Sequence, residues 1–105
     1  MKMLPVLCCG PDTPALDAGD ADALAARFKA LADPARVAIV NRLAAADEVC
    51  VCNLVAALDL AQPTVSHHLK VLREAGLVDS ARRGTWAYYR LVPGAVDALR
   101  EALGG

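Results

Sequence analysis

Four cysteines stand in this chain as two close pairs, Cys8-Cys9 near its start and Cys50-Val51-Cys52 near its middle. Thiolate sulfur is a soft donor that selects soft ions. A cluster drawn from both pairs suits trivalent arsenic or antimony, or cadmium, lead or zinc, better than a hard cation. The same sulfurs could instead oxidise to a disulfide and act as a redox switch. A thioredoxin-like oxidoreductase would need Cys-x-x-Cys within a βαβ pattern, and that spacing does not occur. His67 and His68 adjoin no nucleophile in a recognisable catalytic motif, so no enzyme is expected.

Spacing restricts how these thiols can converge. Residues i and i+2 of a regular helix do not face each other, so Cys50 must precede the helix that carries Cys52 or sit in its distorted start. There the helix dipole also favours the thiolate. Neighbouring side chains such as Cys8 and Cys9 diverge in a strand and converge only in irregular backbone. Pro5, Gly10, Pro11, Pro14 and Gly19 supply that irregularity. Residues 1–19 therefore read as a flexible arm, and residues 20–105 as one folded domain.

The elements that must position these groups follow from periodicity and punctuation. Leu24, Phe28 and Leu31 predict a first helix over residues 20–32. Asp33-Pro34 opens a second, over 34–46, with Val37, Ile39, Val40 and Leu43 as core contacts. A short third helix covers 52–58. Asp59-Leu60-Ala61-Gln62 then turns into a fourth, from Pro63 to Ala75, stopped by Gly76. Residues 77–81 and 85–91 can pair as strands about an Arg82-Arg83-Gly84 turn. A last helix, 93–103, opens at Pro93 and carries Val96, Leu99 and Leu103 as its apolar stripe. The expected fold is mainly α with a small β-hairpin, a winged helix-turn-helix in the order α-α-α-α-β-β-α.

A second chemistry lies in the fourth helix. Val65, Leu69 and Leu72, spaced i, i+4, i+7, should face the core and leave Thr64, His67, Lys70 and Arg73 outward. Gln62, Thr64, Ser66 and His67 lie in the first turns, where a recognition helix meets base edges. Lys70, Arg73, Arg82 and Arg83 better suit phosphates. His68, nearer the buried edge, is either a packing histidine or a DNA contact. The formal net charge is only −1, but residues 66–105 carry a net +2 against −3 for residues 1–65. Basic charge thus gathers on the elements assigned to DNA.

The run from Gln62 to Val78 resembles the recognition helix and first wing strand of the ArsR/SmtB family of metalloregulatory repressors. Leu31-Ala32-Asp33-Pro34-Ala35-Arg36 resembles that family's entry to the second helix. Arg83-Gly84 through Tyr88-Tyr89 resembles its wing, and Val49-Cys50-Val51-Cys52-Asn53-Leu54 its metal-box helix. The resemblance implies a cytoplasmic homodimer, formed by the first and last helices, that represses transcription from double-stranded operator DNA and lets go when an inducer ion binds. It favours arsenic as As(III) or antimony as Sb(III), held by Cys50, Cys52 and at least one of Cys8 and Cys9. Cadmium or lead, as Cd(II) or Pb(II) on all four cysteines, is the alternative. Departures narrow the site. No His follows His68, so a zinc site in the last helix is not expected, and no third cysteine follows Cys52 closely. The start of the chain, one charge and a short apolar run broken by Pro5, is too short for a signal peptide or membrane span.

Overall fold

Asp17 caps the first helix, α1 (Ala18–Ala30), by accepting the Asp20 amide at 2.7 Å. The structure, a computed structural model, describes residues 16–104. Cys8, Cys9 and most of the expected arm lie outside the described residues. The helix begins two residues ahead of the expected boundary because Asp17, rather than Asp20, supplies the cap.

Asp33 caps α2 (Pro34–Ala44), accepting the Ala35 amide at 2.8 Å and the Arg36 amide at 3.3 Å, with Pro34 in the first turn. Ile39 and Leu43 are buried, whereas Val37, expected in the core, is 52% exposed. At about 100° per residue, Val37 lies roughly 200° round the helix from Ile39. A two-residue strand, β1 (Val49–Cys50), follows and has no counterpart in the sequence reading. Then come α3 (Val51–Leu58), a turn in which Asp59 adopts a left-handed backbone, and α4 (Gln62–Glu74).

Val65, Leu69 and Leu72 of α4 have no solvent exposure, as their spacing predicts. The helix closes in a Schellman motif: the Gly76 amide donates to the Arg73 carbonyl and the Leu77 amide to that of Leu72, with Gly76 at φ 80°. Arg27 of α1 adds a cross-helix cap, its Nε donating to the Ala75 carbonyl at 3.2 Å. A cation at a helix C-terminus also complements the dipole.

The wing strands are β2 (Val78–Arg83) and β3 (Trp86–Leu91). They pair antiparallel from Val78↔Leu91 to Arg83↔Trp86, leaving Gly84-Thr85 as a two-residue turn. Arg82 and Arg83, expected in the turn, are therefore strand residues. Positive φ at Gly84 alone is the sign pattern of a type II′ hairpin, whose twist suits paired strands. β1 joins the other edge of β3 through Val49↔Tyr89 and Cys50↔Tyr88, giving the sheet order β1-β3-β2.

The last helix, α5 (Ala95–Ala102), starts after Gly94 rather than at Pro93. Of its expected stripe Leu99 is buried, while Val96 is 37% and Leu103 73% exposed. Their exposure leaves part of the α5 stripe outside the core.

Candidate functional site

Cys50 is at once the end of β1 and the N-cap of α3, in extended backbone at φ −68°, ψ 142°. Its Sγ accepts the Cys52 amide at 3.4 Å. Cys52 stands exposed in the first turn, its Sγ 3.9 Å from Asn53 Oδ1. Cys50 thus lies before the regular helix, the placement that the spacing demands for two converging sulfurs. The neighbouring Cys52 side chain holds the Cys50 thiol below its ordinary range, against the opposing effect of burial and with help from the Cys52 and Asn53 amides. The Cys50 side chain in turn pushes Cys52 upward, with burial and the Cys50 charge acting in the same sense. One sulfur of the pair is therefore predisposed to be a thiolate, the form that binds soft ions. Among the described residues no three His, Cys, Asp or Glu side chains are grouped to hold a metal ion. The two sulfurs are a partial donor set.

On α4, Gln62, Thr64, Ser66, His67, Lys70 and Arg73 are exposed, on one continuous unit with the buried Val65, Leu69 and Leu72 behind them. His68 is half-buried, and its Nδ1 is buried without a hydrogen-bond partner among the described residues. Burial pushes the Asp33 carboxyl up, but the Arg36 and Ala35 amides and the charges of His68 and Arg36 outweigh it and hold it below the usual carboxylate range. His68 is thus the more buried of the two histidines, and His67, its ring 6.0 Å away, is the exposed one.

The wing divides its arginines. Side chains alternate across a strand and paired residues share a face. Val78, Ser80 and Arg82 therefore share the face whose inner end, with Tyr89 and Leu91, packs on the core. Arg73 of α4 donates to Ser80 Oγ at 3.1 Å, so Arg82 stands on the α4 side of the wing. Arg82 pairs with no carboxylate among the described residues. Arg83 is on the opposite face, with its guanidinium carbon 4.8 Å from the Tyr88 ring centroid and an ion pair to Glu48. Glu48 and Tyr88 carry no local signal for this contact, since it joins residues far apart in sequence. Trp86, next to the turn, is 53% exposed.

A short helix, a turn and a helix with a polar outer face, followed by a hairpin that contacts that helix, define a winged helix-turn-helix protein. Residues 33–80 match the family described as bacterial regulatory protein, arsR family. The chain is 40% identical over 73 residues to an arsenical resistance operon repressor of Bacillus subtilis, covering 70% of each chain. It is 49% identical over 79 residues to an arsenic resistance transcriptional regulator of Pseudomonas putida, covering 72% of this chain and 62%, less than two thirds, of that protein. A homodimeric winged helix-turn-helix DNA-binding domain from Mycobacterium bovis superposes with a TM-score of 0.70 at 31% identity, over 90% of this chain and 84% of that one. The chain belongs to the arsR family, a family of transcriptional regulators and not of enzymes. Among the described residues no helix is long and apolar enough to cross a membrane.

Proposed function

We propose that this chain is an ion-responsive transcriptional repressor that binds double-stranded operator DNA as a homodimer. Trivalent arsenic or antimony releases it by binding Cys50, Cys52 and at least one of Cys8 and Cys9. The observation that carries the reading is Cys50 as a sulfur cap accepting the Cys52 amide, with the Cys52 side chain exposed in the next turn, at the start of the helix that leads into α4. Arsenous acid exchanges three hydroxyls for three thiols, releasing three waters, so the chemistry needs no oxidant. A sulfur drawn into such a bond leaves the Cys52 amide, which loosens the start of α3.

In this reading Ser66 and His67, with Gln62 and Thr64, meet base edges, and Lys70, Arg73 and Arg82 meet phosphates. The dimer face is the α1/α5 side, where a hollow of about 430 Å³ is lined by Leu16, Leu24, Arg27 and Ala98, and where Phe28, Val96 and Leu103 are also exposed on or next to the two helices. Exposed apolar groups on these helices suit a second copy of the chain.

The test is fluorescence anisotropy on a duplex selected from random sequence, in excess reductant. Arsenite, antimonite, cadmium, lead and zinc are titrated against the wild type and a Cys50→Ser, Cys52→Ser variant. Release by arsenite or antimonite that the variant loses is the expected result. Release by cadmium or lead alone would reassign the ion. No release by any ion would remove the sensing half, and no selected duplex would remove the DNA half. Arg82→Ala should flatten the salt dependence by about one unit per subunit in the log–log slope, and His67→Ala should weaken specific binding instead.

A further inference from the structure

Three contacts form a closed circuit between the thiol pair and the wing. Cys50 is in register with Tyr88 across the β1/β3 edge. The Tyr88 ring lies against the Arg83 guanidinium. Arg83 returns to Glu48, two residues before Cys50. Cys50 lies on the face that Tyr88 and Arg83 share in β3 and β2, and Glu48, just before β1, meets Arg83 by its ion pair. To make this ion pair Arg83 must cross the whole central strand, since β1 and β2 flank β3. A hollow of about 210 Å³ lined by Glu48, Arg83 and Tyr88 marks the same place, beside a second ion pair of 3.8 Å from Arg90 to Asp79.

We propose that Glu48 is a positioning residue that couples the thiol pair to the wing: it holds Arg83 across Tyr88, and ligation of Cys50 and Cys52 by a soft ion breaks that hold. The inference rests on the ion-responsive reading above and adds the route by which the ion acts. β1 is only two residues long, so few backbone hydrogen bonds resist its displacement. Cys50 is the hinge between β1 and α3, and a sulfur pulled from its cap moves the short strand that Glu48 directly precedes. An exposed ion pair contributes little to stability, which suits a contact whose purpose is to be broken. In the ion-free state Arg83 is held to the sheet and the wing has one arrangement. In the ligated state Arg83 is free and the wing is no longer tied to α3. Couplings between two sites typically change affinity about 5–150-fold, a range that a small network of this kind can reach.

The test needs no DNA. Reduced full-length protein is titrated with arsenite while near-ultraviolet absorption reports sulfur ligation and the emission of Trp86, the single tryptophan of the chain, reports the wing. In the wild type both signals should change together. Glu48→Gln and Arg83→Gln should ligate arsenite as the wild type does and lose the Trp86 response, and the exchanged pair Glu48→Arg, Arg83→Glu should restore it. Thermal melts of all four proteins check folding, and Arg83→Gln, on an exposed strand end, carries the test should Glu48→Gln fold poorly. A wild-type Trp86 signal that stays silent on ligation, or single variants that keep the full response, would overturn the inference and leave the proposed function intact. Failure of arsenite, antimonite, cadmium and lead to ligate would instead remove the ion-responsive reading, and this inference with it.

Discussion

Along α4, three side chains with no solvent exposure and a Schellman closure at Gly76 seat the helix from Val65 to its C-terminus. One helix earlier, the eight residues of α3 begin at a sulfur cap and a two-residue strand. The helix proposed to face DNA is thus the rigid member of the pair and its predecessor the adjustable one. The proposed sensor needs this division, because a reading surface must keep its shape while something beside it responds. Sulfur is a poorer acceptor than the carboxylates of Asp17 and Asp33, so α3 has the weakest cap among the three helices capped by side chains.

The sharpest way to break the comparison is to cut into the rigid member. Leu69→Ala should destabilise the fold by about 2–5 kcal/mol, measured by urea unfolding. A smaller loss would mean that α4 is less firmly seated than its burial indicates. Gly76→Ala should cost about 1–2 kcal/mol, because a side chain is strained at φ 80° and the new Cβ would meet the Arg27 guanidinium at 3.4 Å. Cys50→Ser tests the adjustable member. A hydroxyl caps at least as well as a thiol but is more polar in this buried site, so stability should fall by no more than about 1 kcal/mol while arsenite no longer releases DNA. A large loss of stability there would make Cys50 a core residue first and a ligand second.

The smallest effect concerns pH. The Asp33 carboxyl is held below its usual range in the folded chain. Its contribution is therefore present above the unfolded value, about 3.9, and is lost as pH falls through the lower folded value. The stability difference between wild type and Asp33→Asn should be constant above about pH 5 and close below about pH 4. A difference that grows in acid would reverse the assignment.

The rigid member is also the legible one. Val65, Leu69, Leu72 and Gly76 announce α4 and its stop through period and backbone chemistry alone, and Asp33-Pro34 does the same for the start of α2. β1 was not legible, since two residues carry no alternation. The wing turn was placed at Arg82-Arg83-Gly84 because polar, charged residues suggest a loop, yet an exposed hairpin end has no core to impose an apolar pattern. Val37 is apolar and reads as a core contact, but helix phase places it outside, while of the apolar stripe of the last helix Val96 and Leu103 lie exposed. For the thiols, sequence spacing required Cys50 to precede the regular part of its helix, which is where it lies. The Glu48 to Arg83 contact could not be read from sequence, because nothing local in the chain links the two residues.

Arg27 gives the molecule a gauge. Its bond to the Ala75 carbonyl fastens the end of α4 to α1. In the proposed dimer, with α1 in its seam, the separation of the two proposed reading helices would be fixed by how the two α1 helices meet and by this one guanidinium on each side. Sites one duplex turn apart are about 34 Å from centre to centre, and a dimer so fastened accepts little variation in the number of base pairs between them. The length of the spacer, as much as the letters on either side, is then part of what the protein recognises.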